Sequence, residues 1–258
     1  MAPTAKTEGL LLRCVDFGES DRIVHLLTPD RGRLTAMAKS ARKSMKRFPG
    51  TLDLANHLEI ELSHPRRGAM PYLERGRLLS PFLGLRALPA RYALACYLIE
   101  LLDRLAPEGG ADSDMRELFD FSLGALGAVE QSRPDVKLRV LLELRALDAL
   151  GLRPELRHCV RCGAQPRPSL PVGFHVGEGG VMCGPCGKRV EGLLPIHLGT
   201  LRALEQGLRL DIGRLDRLAL SSQALAEADL LVARFHRFHV GLELRSEEFL
   251  REVLHPVG

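Results

Sequence analysis

Residues 17–44 read FGESDRIVHLLTPDRGRLTAMAKSARKS and contain two short apolar segments, residues 22–28 and 33–41, separated by a turn signal. Each segment has the length and composition of a β-strand. The intervening Pro-Asp-Arg-Gly has the composition of a tight turn, and Gly32 can adopt the positive φ that such a turn needs. The stretch therefore predicts a β-hairpin whose second strand runs into a group of cations.

Similar segments surround this hairpin. Residues 7–17, 57–63 and 71–79 are also short apolar or alternating runs, and glycine- or proline-containing turn signals separate them. Five short strands within residues 1–80 predict a small barrel such as an oligonucleotide-binding (OB) fold, with an SH3-like barrel as the alternative.

From residue 81 onward the apolar residues recur with helical spacing. Six helical segments are predicted, the first with Pro89 at its first position and the third with Gly151 as its C-terminal stop. The predicted fold class is therefore multidomain β + α. It comprises an OB-fold barrel at residues 1–80 and an all-α helical domain at residues 81–258, into which a four-cysteine zinc-binding segment is inserted at residues 157–190.

Four of the six cysteines occur as two CxxC pairs, Cys159 with Cys162 and Cys183 with Cys186. Two residues between cysteines let both thiolates face one cation from a single turn, and two such pairs are typical of a structural Zn²⁺ site. Gly163 and Gly187 follow the pairs and are expected to let the backbone turn its N–H groups toward the sulfurs. Four cysteine ligands leave no open position for water, so a catalytic zinc is not expected.

The tetrapeptide CGPC at residues 183–186 also matches the redox motif of thioredoxins, which leaves a thiol oxidoreductase as a remote alternative. That chemistry needs the pair at the end of a buried strand where a helix opens. The preceding GEGGVM and the second CxxC pair argue against it.

Charge is distributed unevenly along the chain. The net formal charge is +4 overall, but residues 1–80 contain 14 Lys and Arg against 9 Asp and Glu. Five cations fall within residues 39–47, where there is no carboxylate. Such a charge asymmetry predicts binding to a polyanion, either nucleic acid or an anionic membrane surface, and a basic loop on a small barrel is typical of a nucleic-acid binder. The candidate contacts are Lys39, Arg42, Lys43, Lys46, Arg47, Arg66 and Arg67.

Aromatic residues are sparse in the predicted barrel, where only Phe17, Phe48 and Tyr72 occur. Affinity is therefore expected to depend on phosphate contacts more than on base stacking. A variant with Lys43→Glu and Arg47→Glu is expected to lose affinity without losing stability.

Several function classes lack their motifs. The sequence has neither a GxxxxGK[ST] phosphate loop nor an acidic cluster typical of a two-metal nuclease. No signal peptide and no apolar run of membrane-spanning length are visible. We therefore expect a non-enzymatic, cytoplasmic protein without membrane contact.

The hairpin stretch and the order of segments around it resemble the RecO family of bacterial recombination mediators. In that family an aromatic-Gly-Glu motif opens a strand, a turn ending in Gly follows, and the next strand runs into an Ala-Lys-Gly-x-Arg-like segment. Residues 17–19, Gly32 and residues 38–42 match this order. Ser40 is a departure, because the family commonly has Gly there.

The resemblance implies a nucleoid-associated DNA repair protein that binds single- and double-stranded DNA and anneals complementary strands. It also implies three partners: RecR, the acidic C-terminal tail of single-stranded DNA-binding protein, and indirectly RecA, which the protein helps to load. Lys39 and Arg42 are carried over as DNA contacts. Arg133, Lys137 and Arg139 are possible rim residues for the acidic tail. An RNA-binding or ribosome-associated zinc-ribbon protein is the alternative that uses the same charges.

Overall fold

Five strands close into a barrel in a computed structural model of the chain, which describes residues 4–44, 46–63, 69–109, 111–167 and 172–254. The strands pair in the order β1-β2-β3-β5-β4, and β4 closes the barrel against β1. All pairings are antiparallel except that of β3 with β5. This is the OB-like barrel predicted from the sequence. Its strands are β1 Thr4–Phe17, β2 Asp21–Thr28, β3 Gly32–Ala38, β4 His57–Ser63 and β5 Tyr72–Ser80.

Alternation along the strands produces the barrel core. Val24, Leu26, Ala36 and Ala38 point inward and are fully buried, because successive side chains of a strand face opposite sides. The β2–β3 turn confirms the prediction for Gly32, which has a φ of 65°. A Cβ at Gly32 would lie 2.4 Å from the carbonyl oxygen of Pro107. Glycine is therefore required there by both conformation and space.

The chain divides into two compact units, Met1–Gln131 and Ser132–Gly258. The first contains the barrel, a 3-10 helix Leu83–Ala87, and helices α1 Pro89–Leu105 and α2 Asp112–Gln131. Helix α1 packs on β1 and β2, and α2 packs on β2 and β3. A hydrogen bond joins the barrel to α1, since His25 Nδ1 lies 2.6 Å from the buried Asp103 carboxylate.

The second unit contains the remaining predicted helices and the cysteine segment. Gly151 ends α3 with a φ of 77°, and the N–H of Leu152 donates to the carbonyl of Leu147 at 2.7 Å. This confirms Gly151 as a helix stop. No described helix is both long and apolar enough to cross a membrane. The elements are α3 Val136–Ala149, β6 Val172–His175, β7 Gly180–Cys183, α4 Gly184–Gly187, β8 Leu194–Pro195, α5 Leu198–Arg209, a 3-10 helix Ile212–Arg217, α6 Ser222–His239 and α7 Arg245–Leu254.

A buried ionic network joins α3 to α6. Glu143 accepts from Arg139 at 2.7 Å and lies 2.8 Å from His236 Nδ1. Burial by itself would raise the pKa of Glu143, but the hydrogen bond from His236 and the charge of Arg139 outweigh it and lower the pKa. Arg139 also pairs with Asp229. It is therefore part of this network and not a free rim cation, contrary to the expectation from the sequence.

Candidate nucleic-acid interface and metal centre

The basic loop, residues 39–50, is anchored in the core of the barrel. It begins directly after β3, and the side chains of Ala41 and Phe48 are buried among the core residues of the barrel strands. Leu52, just beyond the loop, is buried in the same cluster. These buried apolar side chains attach the loop to the barrel core near its start and near its end.

The first turn of the loop has a left-handed residue. Ser40 has a φ of 54°, its N–H donates to Asp21 Oδ1 at 2.7 Å, and its carbonyl accepts from the N–H groups of Lys43 and Ser44. The hydrogen bond from Ser40 is the main cause of a lowered pKa of the Asp21 carboxyl. A left-handed conformation explains why glycine suits this position.

Two of the loop cations form structural contacts. The Arg42 guanidinium lies 3.4 Å from Asp16 Oδ2 and donates to the carbonyls of Gly18 and Glu19 in the β1–β2 turn. Arg47 donates to the carbonyl of Lys39 and lies over the Phe48 ring, 5.4 Å from its centroid. Their cationic groups are thus partly occupied by structural contacts.

The lysines of the loop are different. The Lys39 ammonium lies 4.1 Å from the centroid of the Tyr72 ring, a cation–π contact that leaves it accessible to solvent. Lys43 and Lys46 are exposed, and neither forms an ion pair with any other residue that the structure describes. These three ammonium groups are therefore the ones most available to phosphate. Arg66 and Arg67 lie outside the described residues.

The other cations of the barrel contribute less free charge than their number suggests. Arg33 pairs with Glu108 and lies 3.7 Å from Asp103, and Arg77 forms a two-pronged contact with Glu59. The basic loop is therefore the main region of uncompensated positive charge among the described parts of the barrel.

The four cysteines of the two CxxC pairs come together in the second unit. Their Sγ atoms all lie within 4.8 Å of one another, and those of Cys162 and Cys183 are 3.6 Å apart. Four sulfurs placed tetrahedrally about 2.3 Å from one zinc ion would be separated by about 3.8 Å. The cluster could therefore hold a metal ion, as the spacing predicted.

Local backbone geometry supports this donor set. Gly163 has a φ of 71° with open space around its Cβ position, and its N–H donates to the carbonyl of Cys159 at 2.8 Å. The predicted turn at Gly163 is present, although the N–H of Gly163 itself bonds to a carbonyl and not to a sulfur. Gly187 is not left-handed, and a Cβ there would lie 2.8 Å from Leu193 Cδ1. Glycine at position 187 therefore allows close packing against the end of the Leu193 side chain, and its backbone is not in a left-handed turn.

The thiols of the cluster affect one another strongly. Burial would raise the pKa of Cys159, but backbone N–H groups of Cys183, Cys162 and Arg161 outweigh it and lower the pKa to about 6. Hydrogen bonding to the sulfurs of Cys183 and Cys162 raises the pKa of Cys186 to about 12. Four thiolates this close repel one another, so a bound cation is needed to keep all four deprotonated.

The CGPC segment has a different setting from the one expected. Cys183 ends the buried strand β7, and the one-turn helix α4 opens immediately after it. The sequence argument that no such strand and helix would flank the pair is therefore wrong. What separates the site from a redox dithiol is the second pair, because Cys159 and Cys162 lie within 4.8 Å of the same sulfurs.

Comparison with known proteins gives two family models that match successive parts of the chain. A family model described as Recombination protein O N terminal matches residues 1–82, and one described as Recombination protein O C terminal matches residues 87–248. The chain belongs to the RecO family. The RecO family consists of DNA repair and recombination proteins, and the resemblance seen in the hairpin stretch is thereby confirmed.

Individual RecO relatives are similar over nearly the whole chain. The DNA repair protein RecO of Anaeromyxobacter dehalogenans (strain 2CP-C) is 39% identical over 251 residues, which is 96% of each chain. That of Symbiobacterium thermophilum is 33% identical and covers 94% of this chain, and that of Syntrophus aciditrophicus is 32% identical and covers 97%. The similarity therefore extends across both the barrel and the cysteine segment.

Proposed function

We propose that this RecO-family chain is a non-enzymatic recombination mediator that binds single- and double-stranded DNA and anneals complementary strands. With RecR it would help to load RecA onto DNA coated by single-stranded DNA-binding protein. The observation that carries the proposal is the basic loop. It is anchored by buried side chains in an OB-like barrel, and it presents lysine ammonium groups that have no carboxylate partner among the described residues.

Annealing follows from phosphate neutralisation. Two DNA strands repel each other through their phosphates, and cations that contact the backbone displace condensed counterions and reduce this repulsion. Base pairing then supplies the free energy, so no nucleotide hydrolysis is required. The absence of a phosphate-loop motif from the sequence supports a non-enzymatic role.

We assign Zn²⁺ to the four-cysteine cluster as a structural metal, one per chain. All-sulfur coordination favours Zn²⁺ over magnesium or calcium, which prefer oxygen ligands. The ion would join the turn at Cys159 and Cys162 to the end of β7. Cys159 and Cys162 are already held against β7 by a hydrogen bond of 2.9 Å from the N–H of Val160 to the carbonyl of Val181.

The protein partners are proposed from the family. RecR and the acidic tail of single-stranded DNA-binding protein are the direct partners, and RecA is an indirect one. Of the three rim residues considered for the acidic tail, Arg139 is committed to a buried network and Lys137 donates to the carbonyl of Asp216 at 2.8 Å. Arg133 remains exposed.

The proposal is tested by strand annealing with two charge-reversal variants. One carries Lys43→Glu and Lys46→Glu in the basic loop. The control carries Arg214→Glu and Arg217→Glu, which change the net charge equally at exposed positions of the second unit. Annealing of complementary 40-nucleotide strands, followed by fluorescence energy transfer, is expected to slow at least tenfold in the loop variant and to stay near wild type in the control.

Two results would contradict the proposal. Equal loss in both variants would mean that only total charge matters and that the loop has no special role. Tight binding to RNA with no acceleration of DNA annealing by the wild type would favour the RNA-binding alternative.

A further inference from the structure

A row of outward-facing apolar side chains crosses the barrel beside the basic loop. Val15 on β1 pairs with Ile23 on β2, Ile23 pairs with Met37 on β3, and Met37 pairs with Tyr72 on β5. Each of these residues has chain neighbours that face the barrel core, such as Val24, which is fully buried. One side chain from each of four strands thus lies on the same outer surface.

Phe17 extends this row at its exposed end. It follows Val15 by two residues on β1, so both side chains lie on the same side of the strand. Val15 is 41% exposed and Phe17 is 50% exposed. Helices α1 and α2 cover the outer face near His25, where Asp103 pairs with it, and leave these two side chains accessible to solvent. Among the described barrel residues, Phe17 therefore has the most exposed aromatic ring.

Cations border the row on the side of the basic loop. Lys39 occupies one face of the Tyr72 ring at 4.1 Å from its centroid, and Arg42 bonds to the carbonyl of Gly18, directly after Phe17. Two of the nearby carboxylates are engaged, since Asp16 pairs with Arg22 and Arg42, and Asp21 accepts from the backbone of Ser40. A third carboxylate, that of Glu19, is exposed two residues after Phe17. An aromatic ring flanked by cations is the arrangement that single-strand binders use.

We propose that Phe17 stacks on an unpaired DNA base and that it makes the barrel selective for single strands. The row from Val15 to Tyr72 would contact the neighbouring bases, and Tyr72 would position Lys39 for a phosphate. Bases of a duplex are already stacked on each other, so Phe17 can add affinity only where a base is unpaired. Phosphate contacts, in contrast, are available on both kinds of DNA. This inference rests on the proposed DNA-binding function and assigns that function a strand preference.

The test compares Phe17→Ala with wild type on unstructured (dT)20 and on a 20-base-pair duplex. Loss of one stacked base reduces single-strand affinity by about five- to 150-fold. Duplex affinity and the salt dependence of binding are expected to stay near wild type. Phe238→Ala is the matched control, because Phe238 is 64% exposed on α6 and distant in sequence from the barrel.

A direct readout comes from Phe17→Trp. The chain contains no tryptophan, so this variant carries a single indole at the proposed stacking position. The fluorescence of this variant is expected to be quenched by (dT)20 and not by a strand of 20 abasic nucleotides. Its affinity for single-stranded DNA is expected to equal or exceed that of wild type.

Three results would overturn the inference. These are an unchanged single-strand affinity of Phe17→Ala, an equal loss of affinity for both kinds of DNA, and a tryptophan signal that does not respond to bases. Failure of wild type to bind any DNA would refute the proposed function itself. The two failures can be told apart. If wild type binds DNA but Phe17→Ala does not selectively weaken single-strand binding, only the inference about Phe17 fails.

Discussion

Lys43 and Arg47 lie four residues apart in the basic loop but have different roles. Lys43 is exposed without an ion pair to any described residue, whereas Arg47 donates to the carbonyl of Lys39 and lies over the buried Phe48 ring. Replacing both by glutamate would therefore combine loss of a phosphate contact with damage to the loop. This argues against the sequence-based expectation that the double variant keeps its stability. Lys43 with Lys46 is the better pair for testing DNA contact.

Ser40 gives a stability prediction at the scale of a single residue. Its φ of 54° costs an L-residue about 1–2 kcal/mol relative to glycine, and glycine loses about 0.5–1 kcal/mol more chain entropy on folding. Ser40→Gly is therefore expected to raise the free energy of unfolding by about 0.5–1 kcal/mol in urea denaturation. Gly18→Ser, which places a serine at another left-handed position with open space around it, should have the opposite effect. A destabilised Ser40→Gly would contradict the account of the loop backbone.

At the scale of elements, local patterns predicted most of the fold. The hairpin of β2 and β3, the stop of α3 at Gly151 and the turn at Gly163 depend on residues close together in sequence, so composition was sufficient. The row from Val15 to Tyr72 could not be predicted, because it requires the parallel pairing of Met37 on β3 with Tyr72 on β5, which are far apart in sequence. The sequence indicated only that Val15 and Phe17 lie on the same side of β1, because side chains alternate along a strand.

The basic loop and the cysteine cluster show the same limit. Neither charge nor spacing predicts the contact of Arg47 with Lys39 or the packing of Gly187 against Leu193, because both depend on the folded path of the chain. The start of α4 at Gly184 was missed because a one-turn helix has no periodicity to detect.

The cysteine cluster predicts a strong effect of metal removal. Purified protein is expected to contain one zinc per chain by elemental analysis. A strong chelator should lower the free energy of unfolding of the second unit by more than about 2 kcal/mol, because metal binding energy is folding energy. Cys159→Ala should reproduce this loss without chelator. Cys14→Ala, a half-buried cysteine of the barrel outside the cluster, should respond to chelator as wild type does. Full stability of metal-free protein would refute a structural role.

At the scale of the whole molecule, the excess positive charge lies in the barrel part of the chain, where the lysines of the basic loop have no carboxylate partner among the described residues. Residues 1–80 carry a net charge of +5, with 14 cations against 9 anions, and the remaining residues carry −1, with 22 against 23. Within the barrel, Arg33 and Arg77 are paired with carboxylates, and the lysines of the basic loop are not. Among the described cations of the barrel, the lysines of the basic loop are therefore the largest group of sequence neighbours without a carboxylate partner.

The central claim is that the basic loop contacts DNA phosphates, and salt-dependent binding to single-stranded DNA tests it most directly. Fluorescence anisotropy with (dT)20 is measured across salt concentrations for wild type and for Lys43→Ala with Lys46→Ala. Seven phosphate contacts predict a slope of about −5 in a plot of log affinity against log salt concentration, and loss of two contacts predicts a slope shallower by about 1.4. The account predicts that change together with unaltered thermal stability. An identical slope in the two proteins, or no detectable binding at low salt, would contradict it.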